Sequence, residues 1–230
     1  VSTLLLLLTG PLQAWGDSSR FAQRTTNREP TKSGVIGLVA AAQGRRRTDS
    51  LEDLLMLRFG VRVDAPGEIM RDFQTARQVD GKSLPLTYRY YLSDATFVAG
   101  LEGPEELLTA LDGHLRSPEF PLYLGRRSCP PSRPVALGVS DMSLEEALRA
   151  ERWRASEVQQ KRTRAREVKL RMVLDAEPGF DGITQRDVPV SFDPEHRQYA
   201  WRTVTDAEPV TVINRHGRDD YHDPMAELGG

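Results

Sequence analysis

The spacing of hydrophobic positions changes several times along the chain. The first run, VSTLLLLLTG at 1–10, does not alternate: five consecutive leucines precede Gly10 and Pro11. A short unbroken apolar run bounded by turn residues predicts a strand buried on both faces, although leucine is a weaker strand former than valine or isoleucine. It lacks a basic n-region and a small-residue cleavage site and is too short to span a bilayer, so it reads as a central strand. A polar loop is expected over 10–30. The pattern then becomes helical: Val35, Ile36, Leu38 and Val39 predict a helix from about Thr31 to Gln43, with Gly34 and Gly37 permitting close backbone approach. Ser50 to Asp53 has the form of a capping box and predicts a second helix carrying Leu51, Leu54 and Leu55.

FGVRVDAPG at 59–67 reads as strand then turn. Residues 68–99 read as two strands around Asp80-Gly81, a projecting hairpin with a long tip. Its second strand, TYRYYLSDATFVAG, places Tyr88, Tyr90 and Leu92 on one face and Arg89 and Tyr91 on the other. Pro104 opens a helix whose core face is Leu107, Leu108, Leu111 and Leu115. A strand follows at 135–139. A capping box at Ser143–Glu146 starts a helix expected to reach about Arg154. Strand-like pieces at 167–175, 188–192, 199–205 and 209–213 complete the pattern.

The front half therefore reads βαββαβ, an α+β, ferredoxin-like or RNA-recognition-type sandwich with an inserted β-hairpin. The expected organisation is a main domain over 1–142, a smaller helix-plus-strands part, mostly β, over 143–213, and a loose tail over 214–230. No repeat of solenoid period is present.

Composition adds constraints. Hydrophobic residues make up 39% of the 230 positions, enough for a packed core, and the net charge of −2 gives no global attraction to polyanions. Any such site must be local. The basic residues are overwhelmingly arginine, with lysine only at 32, 82, 161 and 169. Arginine suits planar phosphate contacts and base stacking, although codon bias also produces such an excess. Cys129 is the lone cysteine, excluding an intrachain disulfide and fitting a reducing, cytoplasmic setting.

Candidate chemistry is that of binding. Arg20, Arg24 and Arg28 share a segment with Trp15 and Phe21, a mixture suited to single-stranded RNA; Trp15 itself reads better as core. The helix start at Thr31, Lys32 and Ser33 offers an anion site, with plain capping as the simpler reading. In PLYLGRRSCPPSRP at 121–134, Gly125 allows a sharp bend or close approach to a ligand. Prolines 130, 131 and 134 restrict the backbone around Arg126, Arg127 and Ser128. The run KRTRAREVKLR at 161–171 would align Arg162, Arg164 and Arg166 if it were a strand, and reads equally well as a solvated arm or a protein-binding surface. The histidines at 114, 196, 216 and 222 lack ligand spacing, so no metal or cofactor is expected.

Four segments, GPLQAWG at 10–16, PTKSGVIGLVAAAQGR at 30–45, YRYYLSDATF at 88–97 and YLGRRSCP at 123–130, occur in an order that resembles the CasD family. The resemblance is strong to about residue 150 and weaker to about 213. It implies a RAMP-superfamily fold with a protruding thumb at about 71–90. It also implies a non-catalytic role in antiviral defence, holding the 5′ handle of the CRISPR RNA in the type I-E surveillance complex, Cascade. The implied neighbours are the repeated backbone subunit and the large PAM-reading subunit, with target DNA reached only through the complex and no membrane involved. The superfamily's glycine-rich loop maps to Gly125–Pro131. Arg126, Arg127 and Ser128 are then RNA-binding candidates together with Gly125, Arg20, Arg24, Lys32, Ser33, and Tyr88 and Arg89 of the thumb. The alternative is a metal-independent endoribonuclease acting through Tyr88 or Tyr90, His114 and Lys32.

Overall fold

A computed structural model describes residues 1–16, 23–177 and 179–218. Strands β1 (Ser2–Thr9), β4 (Arg58–Ala65), β7 (Thr96–Gly103) and β8 (Ala136–Ser140) build the centre of the main sheet. Helices α1 (Lys32–Ala42) and α3 (Glu105–Arg116) make the crossovers between them. The spatial order β4-β7-β1-β8, with every neighbouring pair antiparallel, is that of a ferredoxin-like sandwich. The leucine run of β1 explains itself here. Leu4, Leu6 and Leu8 face the core beneath α1 and α3, while Leu5 joins a second core beneath α4 (Leu144–Ala150). Each fully buried leucine contributes about 1.5–3 kcal/mol, and a strand covered on both faces has no use for polar alternation.

The remaining strands of the main sheet are β9 (Glu167–Asp175), β10 (Ile183–Ser191) and β11 (Gln198–Ile213). They extend it in the order β10-β11-β9-β4, so residues after 143 add to the sheet's β4 edge. The pieces expected at 199–205 and 209–213 are one strand. A register shift between Ala207 and Val210 takes Glu208 and Pro209 out of the ladder, as proline, lacking an N–H, requires.

The 10–30 segment is more than a loop. It supplies β2 (Leu12–Gln13) and β3 (Gln23–Arg24), and both pair with β6 (Thr87–Ser93). The other edge of β6 pairs along its length with β5 (Glu68–Gln74), forming the projecting hairpin. Its exposed tip closes through Gln78 N–H to the Lys82 carbonyl and Leu84 N–H to the Ala76 carbonyl. The expected single strand through 88–99 breaks at Asp94, which adopts a φ of 53°. There the chain leaves the small sheet for the main one.

Two helix boundaries differ from the pattern. Short α2 (Glu52–Leu55) has Leu51 at its N-cap rather than Ser50, and Asp53 is drawn off to pair with Arg45. The helix begun by Ser143, whose N–H and hydroxyl both bond Glu146, stops at Ala150 rather than Arg154. The reason is Arg62, fully buried on β4. Its guanidinium takes the carbonyls of Leu148, Glu151 and Arg152 and both oxygens of Asp64, satisfying all five donors. Burial pushes the Asp64 carboxyl upward, and Arg62 opposes it.

The basic run at 161–171 splits between elements. Arg162 ends helix α5 (Glu157–Arg162) and β9 begins only at Glu167, so no strand aligns Arg162, Arg164 and Arg166. Beyond β11, Asn214 is buried and its side-chain amide bonds the carbonyls of Gln160, Thr163 and Ala165, which fixes the first turn of the expected tail. Residues 219–230 lie outside the described residues. Among the described residues no helix is long and apolar enough to cross a membrane, and no group of His, Cys, Asp and Glu could hold a metal ion.

Candidate nucleic-acid interface

A cleft of about 1630 Å³ runs between α1, the 120–130 segment and the β10–β11 hairpin. Among the described residues, its wall holds eight arginines, at 24, 45, 46, 47, 126, 127, 186 and 197, and no carboxylate residue. That imbalance gives the cleft a local positive potential on a chain of near-neutral charge. Interleaved with the arginines are six aromatic residues: Trp15, Phe120, Tyr123, Phe192, Tyr199 and Trp201.

The glycine loop is the best-defined wall. Gly125 has a φ of +86°, and a Cβ there would lie 1.7 Å from the Ala14 carbonyl oxygen. The bend expected at this glycine is present, and the space on its Cβ side is taken by the chain's own backbone. Leu124 N–H donates to the Cys129 carbonyl and Cys129 N–H to that of Arg126, closing a tight loop. Cys129 is buried inside it, and burial pushes its thiol pKa up.

The two arginines divide the labour. Arg126 donates to the Tyr90 carbonyl at 3.0 Å and the Arg24 carbonyl at 2.9 Å, and stacks 4.7 Å from the Tyr91 ring centroid. It ties the loop to β3 and to the foot of the hairpin. Arg127 is exposed and, among the described residues, has no hydrogen-bond or ion-pair partner. The same holds for the side chains of Arg24, Arg46, Arg47 and Arg197, whereas Arg45 is paired with Asp53 and its charge is held by that contact.

Lys32 departs from expectation. Its Nζ makes a buried ion pair with Asp175 at 2.9 Å, away from the cleft, and its backbone N–H donates to Asp187. An internal carboxylate thus fills the anion site at the start of α1, where Thr31 also caps Gly34 N–H. Arg202 completes the set, reaching Asp175 at 2.5 Å and Asp187 at 2.6 Å. Burial works against the Arg202 charge, but the two carboxylates outweigh it and hold its pKa above the ordinary value. Two cations and two anions compensate within the protein and lock α1, β9, β10 and β11 together.

Of the other candidates, Ser33, Arg24 and Gly125 line the cleft and Ser128 is exposed beside Arg127. Tyr88 and Arg89 lie on β6 outside it, with Arg71 over the Tyr88 ring. Arg20 lies outside the described residues. Trp15 is buried against Gly34, with its Nε1 bonded to Gln13, and is core. The sequence reading singled out neither Arg186 and Arg197 nor Tyr199 and Trp201. They are distant in sequence from the glycine loop, and only the fold brings them to it.

Against known proteins, residues 3–205 match the family model described as CRISPR-associated protein (Cas_Cas5), and the chain belongs to that family. It is 34% identical over 163 residues to the CRISPR system Cascade subunit CasD of Escherichia coli (strain K12), covering 62% of this chain and 73% of that one. Two solved structures are similar over nearly the whole length. One, described as the crystal structure of a Cas protein, is 40% identical with a TM-score of 0.70 over 94% of this chain and 97% of that chain. The other belongs to a CRISPR RNA-guided surveillance complex and is 30% identical with a TM-score of 0.75 over 98% and 97%. The RAMP-type α+β fold and the CasD resemblance read from four segments agree with these matches.

Proposed function

We propose that this chain is a non-catalytic RNA clamp of a Cascade-type surveillance complex. It holds the 5′ handle of the CRISPR RNA in the arginine-lined cleft and uses the β5–β6 hairpin as a thumb against the neighbouring backbone subunit. The large PAM-reading subunit is the other proposed neighbour, so target DNA is met only through the complex. The observation that carries this reading is a cleft whose described residues include eight arginines and no carboxylate, in a chain whose net charge is −2. A backbone clamp needs cations and stacking faces, because the guide supplies sequence recognition by base pairing.

The endoribonuclease reading has less support. Cleavage through the RNA 2′-hydroxyl needs a base, an acid and a cation at one phosphate. Lys32 is spent on Asp175, His114 is exposed on the last turn of α3, and Tyr88 and Tyr90 are on β6.

The test is incubation of the full chain with repeat-derived RNA in EDTA across a salt series. Binding is expected to weaken with salt while the RNA stays intact. The variant Arg46→Ala/Arg47→Ala/Arg127→Ala is expected to lower the log–log salt slope by about 2. An unchanged slope overturns the cleft assignment, and specific cutting overturns the non-catalytic one.

A further inference from the structure

The clamp reading concerns phosphates; the β10–β11 hairpin presents something else. From this geometry we infer that Trp201 is a stacking platform for one unstacked base of the bound RNA, with Arg186 and Arg197 holding the flanking phosphates. The inference rests on the clamp reading and adds a base-binding subsite to it.

Trp201 is 65% exposed, which is unusual for the largest apolar side chain, yet it sits on a rigid strand. Its neighbour Arg202 is pinned by Asp175 and Asp187, so the backbone carrying Trp201 is fixed before any ligand arrives. Tyr199, two residues earlier on the same strand, also lines the cleft. Arg186 uses its Nε on the Tyr199 carbonyl, which leaves its two terminal nitrogens directed at no partner among the described residues. Arg197 has no partner there either. An exposed indole among cations, with no carboxylate among the described residues of the cleft wall, fits a nucleobase joined to phosphates. An acidic protein surface would satisfy the arginines but leave the indole without a matching flat face.

The chain carries its own probe. Its three tryptophans are Trp15, Trp153 and Trp201. Trp15 is buried and Trp153 is half-buried with its Nε1 bonded to the Asp64 carbonyl. Titrating the full chain with single-stranded oligoadenylate should quench the tryptophan emission, whereas inorganic polyphosphate, which has charge but no bases, should not. Trp201→Phe should bind within about threefold of wild type but lose the quenching, and Trp201→Ala should bind about tenfold more weakly. RNA binding with unchanged emission, or quenching that survives in Trp201→Phe, overturns the subsite alone. Quenching by partner subunits but not by RNA also overturns it and assigns the indole to a protein contact. Failure of the wild-type chain to bind RNA at all overturns the clamp reading itself.

Discussion

The Asp187 carboxylate accepts the backbone N–H of Lys32 at 2.8 Å, at the start of α1. Helix N-termini carry unpaired N–H groups that attract anions, and this one is satisfied from within the chain. The same carboxylate holds Arg202, so one residue both satisfies the helix start and fixes the strand that forms the far wall of the cleft.

Removing one member of this set should be costly. Asp175 accepts from Lys32, Arg202 and the Phe59 N–H, so Asp175→Ala leaves the buried Lys32 ammonium without its carboxylate and Arg202 with Asp187 alone. A loss of about 3–5 kcal/mol is expected in chemical denaturation. A loss below about 1 kcal/mol would show that the quartet is not a structural lock.

Arg126 and Arg127 should separate cleanly by experiment. Arg126→Ala removes charged hydrogen bonds to three carbonyls, those of Tyr90, Arg24 and Thr25, and should lower stability by about 1–3 kcal/mol. Arg127→Ala should leave the melting temperature unchanged and lower the salt slope of RNA binding by about 0.7. The reverse assignment in paired melting and binding titrations would contradict the division described here.

Gly125→Ala must adopt a left-handed backbone and displace the Ala14 carbonyl. The conformation alone costs about 1–2 kcal/mol, and the collision adds to it. The check is a thermal melt, in which a wild-type transition would show that the loop lacks this conformation.

Burial raises the Cys129 thiol pKa, so at about pH 8 the group stays protonated and shielded. Native protein should react slowly with a thiol reagent and denatured protein at once. Rapid labelling of the native state would show that the loop opens.

The central architecture was legible because the pattern of elements depends on local chemistry. The leucine run, the helix from Thr31 and the Pro104 helix each announce their burial. The helix from Ser143 misled at its far end because its terminator, Arg62, comes from a strand more than eighty residues earlier. Lys32 misled for a related reason. Its neighbours Thr31 and Ser33 suggest an anion site, but Asp175 and Asp187, which claim its Nζ and N–H, follow more than 140 residues later. Half of the cleft was legible in the glycine loop. The other half, Arg186, Arg197, Tyr199 and Trp201, has no local motif, because a charged or aromatic residue on a strand reads the same whether it faces solvent or a ligand.

The central claim, that RNA occupies the cleft, is tested most directly by photo-cross-linking. The assembled complex would carry a CRISPR RNA with 4-thiouridine at positions near its 5′ end, and adducts would be mapped by mass spectrometry. Adducts on this chain are predicted within residues 120–130 and 184–201. Adducts confined to other segments, or none on this chain, would contradict the account.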